Sequence, residues 1–247
     1  EIPTGTQAVN TKTRRGMHTQ HQVVGHTLVI RLGGRKRVLS SAPLGGGFGL
    51  ASSILNHQVE ANGPIKGHYP TPARYLRKLA SQLRLSGKTI GLMTAVPMTQ
   101  LVTAQIVAEG LWVECFATVG VTNAVRAGEW HLRWAQSKRV NKPGTINLIV
   151  ITNASLSNAA MVGAVQVVTE AKTSVLMDHA VKSTEDQSLA TGTGTDAVVM
   201  VGALRGQGPP QQYSGTHTVI GTLIGKVVAR CVARGLAKAE QWQKAFQ

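Results

Sequence analysis

The run GTINLIVITNA, residues 144 to 154, limits the folds open to this chain more than any other stretch. It reads as the clearest strand present, and TIGLMTAV, at 89 to 96, as a second, buried one. Aromatic residues make up only 4%, so a core must come from Val, Ile, Leu and Ala with much Gly. Strands of β-branched residues packed against helices of small residues are the makings of α/β layers. The fold class expected is mixed, layered α/β, a mixed β-sheet flanked by helices in a single domain over 26 to 247. Residues 1 to 25 are expected to be a loose N-terminal segment with no apolar signal core, and the missing initiator Met suggests processing, trimming or a fragment.

Other elements follow from the same reading. HTLVIRL (26 to 32) and RVLSSA (37 to 42) are expected as two strands joined by a turn at Gly33 and Gly34. The spacing of Leu76, Leu79, Ala80 and Leu83 predicts a helix over 73 to 85. TQLVTAQIVAEG reads as a short helix and LWVECFATVGVTNAV as a long strand. Ser155 or Ser157 should cap a helix running through Met161, Val165 and Val168 and ending near Lys172, and a last helix should span roughly 218 to 243.

ATGTGTDAV, at 190 to 198, carries almost no hydrophobic mass before the strand VVMVG. It matches ATVGVTNAV, at 117 to 125, in five of nine positions, with Asn123 opposite Asp196. The strand starts upstream, 89 to 93 and 145 to 149, also resemble each other. Together these read as a degenerate internal duplication that would put Asn123 and Asp196 on a shared cleft.

The formal charge of +15 invites a nucleic-acid reading. Its basic groups (Arg14-Arg15, Arg35-Lys36-Arg37, Arg74 with Arg77-Lys78, Lys138-Arg139) come without aromatic platforms or zinc-finger spacing, which argues against nucleic acid as partner. No apolar run is long enough for a membrane span. Two cysteines, Cys115 and Cys231, in apolar surroundings point to a reducing cytoplasm.

With eleven acids in all, each can be weighed. Asp196 stands among small hydroxylated residues that let a ligand approach, although a turn cap is the plainer role. Glu170 and Lys172 are two apart on a helix and point in different directions. His217, just before the last helix, is a further candidate, whereas the histidines at 18 to 26 have no acid partner nearby. The glycines Gly45, Gly46 and Gly47 can present backbone N–H groups to an anion. Nucleotide-binding glycine motifs and the G-x-S-x-G nucleophile elbow are absent.

Taken in order, VLSSAPLGGG, ILNHQV, GLMTAV, TVGVTNA, GTINLIVITNA, TEAKTSVL, ATGTGTDAV and GTHTVIGTLIGKVV resemble the adenosylcobinamide amidohydrolase family of corrinoid salvage, over about residues 26 to 236. The resemblance implies hydrolysis of the amide joining the aminopropanol arm to the corrin ring of adenosylcobinamide. Adenosylcobyric acid and 1-amino-2-propanol would be released. The cobalt would arrive with the corrinoid substrate, so no protein-bound cofactor or metal is expected.

Cobinamide is edged with neutral amides. Asn56, Asn123, Asn147, Thr191, Thr193 and Thr195 are expected to hydrogen-bond them, with Ser41, Gly45, Gly46, Gly47 and His217 completing a substrate-binding set. Asp196 or Glu170 would activate water or a hydroxyl, and Lys172 with the glycine loop would stabilise the oxyanion. Ser40 and Ser41 are alternative covalent nucleophiles, though no His is placed to deprotonate them. The competing reading is a non-catalytic corrinoid- or polyanion-binding protein on the same fold.

Overall fold

The computed structural model describes residues 17–59, 71–129 and 144–245. Arg14, Arg15, Glu60, Lys138 and Arg139 lie outside the described residues. Strands β1 (Gln20–Val24), β2 (Thr27–Ser40) and β3 (Gly47–Gln58) come first, then helix α1 (Pro72–Gln82) and strand β4 (Thr89–Thr94). A 3-10 turn at Met98–Gln100 leads to β5 (Val102–Ala108), β6 (Leu111–Val119) and the short β7 (Ala124–Val125). β8 (Ile146–Thr152), β9 (Ser155–Leu156) and α2 (Asn158–Asp178) follow. The chain ends on β10 (Gly192–Thr193), β11 (Ala197–Gly202), β12 (Pro210–Gln211) and α3 (Val219–Ala245).

The main sheet has the order β4-β3-β2-β11-β8-β6-β5, with β1 also on β2. β3–β4 and β8–β11 are parallel and the other neighbours antiparallel, so the sheet is mixed as expected. The two strands expected on either side of Gly33 and Gly34 are one. Both halves of β2 continue along β3, and the pairing register shifts between Arg31 and Lys36. Gly33 and Gly34 adopt φ of +63° and +133° within that irregularity, which only glycine does without strain. The first half of β2 pairs with β1 and the second with β11, so the sheet changes partners at the bulge.

Side-chain alternation shows how the sheet is layered. On β8, Leu148 and Val150 join a core with α2 and α3, whereas Ile149 and Ile151 join a second core with Leu28, Ile30, Ile54, Ile90 and Leu92. Ile54 faces that second core, while the next residue, Leu55, packs on Leu76 and Ala80 of α1. The order through the molecule is α1, then β1 to β4, then β11-β8-β6-β5, then α2 and α3.

Four expectations are corrected. Residues 102 to 108 form β5, the outer arm of a hairpin with β6, where a short helix was expected. Its two-residue turn, Glu109-Gly110, has φ of +51° and +72°, the backbone that matches strand twist. Residues 20 to 24, expected to be loose, are β1. They are held because Glu114 of β6, fully buried, accepts hydrogen bonds from the backbone N–H of His18 and Thr19. The rings of His18 and His21 add contacts to Trp112 and Phe116, with centroids at 4.7 and 4.9 Å. The helix expected to end near Lys172 runs on to Asp178, capped at its start by Ser157, whose side chain accepts from Ala160 N at 3.0 Å.

The fourth concerns the duplication. The segment at 117 to 125 is a strand end followed by a turn, whereas that at 190 to 198 is a turn followed by a strand start. The two do not occupy equivalent places; their short strands β7 and β10 pair with each other.

One titratable group lies between α1 and the sheet. The imidazole of His57 is hydrogen-bonded to Thr27 Oγ1 at 2.8 Å and Tyr75 Oη at 2.9 Å. Burial, and then the charge of His26, hold its pKa below the ordinary value. The unfolded chain therefore takes up a proton that the folded chain resists. This contribution to stability is present above about pH 6.5 and is lost as pH falls through the folded pKa. Urea midpoints measured between about pH 7.5 and 5 should fall for the native chain and fall less for His57→Gln. Equal slopes would rule His57 out as the source.

Candidate functional site

The first strand residues of β8 and β11, the last of β6 and the end of β2 meet at one end of the sheet. ATGTGTDAV crosses this end, and hydrogen bonds fix most of its length. Thr191 N donates to Val125 O at 3.0 Å, and Thr191 Oγ1 accepts from Ala127 N at 2.8 Å. Thr191 O accepts from Thr173 Oγ1 of α2 at 3.0 Å. Thr195 O accepts from Thr145 Oγ1 at 2.8 Å, and Thr195 Oγ1 donates to Gly144 O at 3.1 Å.

Asp196 is the centre of this arrangement. Its Oδ1 accepts from Ile146 N at 3.0 Å and Thr193 Oγ1 at 2.5 Å. Its Oδ2 accepts from Thr193 N at 3.1 Å and Lys172 Nζ at 2.5 Å. Lys172–Asp196 is the only ion pair among the described residues, and its side chains are 10% and 15% exposed. Lys172 reaches it because it continues the buried stripe Ala164, Val168, Leu176 of α2, one turn apart in each step. A lysine in such a stripe must be paired, since an unpaired buried ammonium is very costly. Gly192 leaves room for the pair: a Cβ there would lie 2.6 Å from both Asp196 Oδ2 and Lys172 Nζ.

Other expected site residues are placed differently. Glu170 is exposed on the outer face of α2, lining a groove with Thr169, Thr173, Ser174, Met177 and Asp178. His217 is exposed ahead of α3, near Ser214, whose Oγ donates to Ala160 O at the start of α2. From there Lys172 is twelve residues along the helix, about 18 Å away, so His217 sits at the opposite end. Ser41 lies beside β11, its Oγ accepting from Val198 N at 3.0 Å. Ser40 Oγ, the other serine weighed as a nucleophile, accepts from Ala42 N at 2.9 Å.

The glycine loop is used for packing. A Cβ on Gly45 would meet Ile90 Cδ1 at 2.7 Å, and one on Gly46 would meet Ala42 O at 2.8 Å. Gly47 is already the first residue of β3, paired with Ser40.

Asn56 and Asn147 are 2% and 1% exposed and face each other between the two sheet layers. Asn147 Nδ2 donates to Asn56 Oδ1 at 3.0 Å and to Met93 O at 2.8 Å, and Asn56 Nδ2 donates to Thr118 Oγ1 at 3.1 Å. They brace the site from beneath. Removing one partner strands the others, so Asn147→Ala should cost about 2 kcal/mol in chemical denaturation. A loss under about 0.5 kcal/mol would show that the network contributes little.

One feature is open to a ligand, and one buried acceptor has no partner among the described residues. The backbone N–H groups of Gly194 and Thr195, both exposed, have no hydrogen-bond partner among the described residues. Asn123 Oδ1, between β6 and β7, is buried without a partner among them. It lies against Gly144, where a Cβ would be 2.5 Å away. Neither the Thr193 hydroxyl nor these N–H groups was singled out for chemistry in the sequence.

A layered α/β chain with a hydroxyl, a carboxylate and an ammonium joined at one end of its sheet has the parts for acyl-transfer chemistry. The model of the adenosylcobinamide amidohydrolase family matches residues 10–244, and the chain belongs to that family. An adenosylcobinamide amidohydrolase of Methanosarcina mazei is 30% identical over 181 residues, 73% of this chain and 76% of that protein. An uncharacterised protein of Methanocaldococcus jannaschii is 31% identical over 212 residues, 80% of each. Among solved structures, the L-aminopeptidase D-Ala-esterase/amidase of Ochrobactrum anthropi matches with a TM-score of 0.42 and 10% identity, over 90% of this chain and 83% of that one. No described helix is long and apolar enough to cross a membrane.

Proposed function

We propose that this chain hydrolyses the amide joining the aminopropanol arm to the corrin ring of adenosylcobinamide, releasing adenosylcobyric acid and 1-amino-2-propanol in the cytoplasm. The observation that carries the reading is the family match across nearly the whole chain. The cobalt belongs to the substrate and takes no part in the steps below.

The four donors on Asp196 limit what it can do. Its oxygens are already occupied, so the proton it is best placed to accept is the one from Thr193 Oγ1, at 2.5 Å. Thr193 Oγ attacks the amide carbon while its proton passes to Asp196 Oδ1. The C–N bond then breaks, and the departing nitrogen takes that proton to leave as the amine. Water cleaves the resulting ester to the acid and restores the threonine. The N–H groups of Gly194 and Thr195 stabilise the oxyanion. Lys172 holds the carboxylate in place through its 2.5 Å contact with Oδ2, which makes it a positioning residue.

Mass-resolved product analysis of the purified protein with adenosylcobinamide tests the reading. Equimolar adenosylcobyric acid and 1-amino-2-propanol are expected. Tight corrinoid binding with no amine release would make this a binding protein.

A further inference from the structure

The described residues 17–59 and 71–108 carry nine Lys and Arg and no Asp or Glu, so the α1 and β1 to β4 side of the molecule is strongly basic. It also holds a groove of about 470 Å³ lined by Arg35, Leu50, Ala51, Ser52, Gly87 and Lys88. Its lining separates it from the Asp196 end. Arg35 sits just after Gly33 and Gly34 in the β2 irregularity, and Lys88 just before β4. Ser52 N donates to Lys88 O at 2.9 Å, which holds the two walls together.

Two glycines shape this groove. A Cβ on Gly87 would meet Ser52 Oγ at 2.8 Å, and one on Gly49 would lie 3.0 Å from Lys88 Nζ. The ammonium is therefore laid over bare backbone. The side chains of Arg35, Lys88 and Ser52 line one groove with no acid or hydrogen-bond partner among the described residues, and two positive charges with a hydroxyl suit a phosphate.

We propose that this groove binds a small phosphate-bearing molecule, a phosphomonoester or diphosphate, with Arg35 and Lys88 on the phosphate and Ser52 donating to it. Its volume suits one nucleotide-sized ligand. A nucleic acid would call for an extended basic track with rings to stack on. Among the described residues, no aromatic ring lines this groove.

Calorimetric titration of the whole protein with inorganic pyrophosphate and with AMP tests this. Saturable one-site binding is expected, weakened about tenfold or more by Arg35→Ala or Lys88→Ala and unchanged by Lys78→Ala on α1. Thermal melts check that the variants fold, and adenosylcobinamide hydrolysis should be unaffected, so this proposal and the assigned reaction fail separately. Failure to bind either probe at about 10 mM, a Kd of fragment strength or weaker, would overturn it. Equal binding by the Arg35→Ala/Lys88→Ala double variant would also overturn it. So would a DNA oligonucleotide displacing the probes with a steep salt dependence, which would make the surface a polyanion track.

Discussion

Asp196→Asn is expected to abolish turnover of adenosylcobinamide and to destabilise the fold. The substitution removes the negative partner of Lys172, which is only 8% exposed, and leaves an ammonium among apolar groups. Breaking a buried pair from one side costs about 3 kcal/mol or more. Asparagine also cannot take the Thr193 proton, so the rate should fall roughly a thousandfold even where the variant is folded. The two effects separate in a double variant. Lys172→Met with Asp196→Asn removes the buried charge but keeps an acceptor for Ile146 N and Thr193 Oγ1, so it should regain part of the stability. It should regain none of the activity. Denaturation midpoints and amine release on the same preparations decide the matter. A fully active Asp196→Asn would move the proton acceptor elsewhere.

Thr193→Ala should have the next largest effect. It keeps the backbone N–H bond to Asp196 and loses only a hydroxyl, so the stability cost should be about 1 kcal/mol. Activity should fall about a thousandfold or more, since no other hydroxyl is bonded to the carboxylate. Thr193→Ser should recover a substantial part of the rate. Steady-state amine release at substrate saturation measures all three. An alanine variant as active as the native chain would show that water attacks directly.

Much of the layering was legible from residue type. The β-branched runs at 89 to 94 and 146 to 152 are strands, and Ser157 caps α2. Errors arose where local chemistry was ambiguous. The apolar residues of VTAQIVA fit a helix as well as a strand, and its Glu-Gly turn lacks the usual Asn or Asp. Gly33-Gly34 reads as a hairpin turn unless the long partner β3 is known.

For the site, Asp196 could be suspected from its neighbours, and Lys172 from its place in an apolar helical stripe. Glu170 stands only as the alternative to Asp196, an acid beside apolar residues; two positions from Lys172 on a helix that continues to Asp178, it faces solvent. Asn56 and Asn147 each interrupt an apolar strand, a sign of burial. That they bond each other across two layers is a fact of tertiary structure, 91 residues apart in sequence. Gly192 has no visible purpose until the ion pair beside it is seen.

The most direct test of the central claim, attack by the Thr193 hydroxyl, is turnover of adenosylcobinamide in rising hydroxylamine with products resolved by mass. A threonyl ester partitions between water and the added nucleophile. The expected result is a corrinoid hydroxamate that grows at the expense of adenosylcobyric acid, in the native chain and in Thr193→Ser and absent from Thr193→Ala. Acid as the sole corrinoid product at every hydroxylamine concentration, with Thr193→Ala still active, would contradict it.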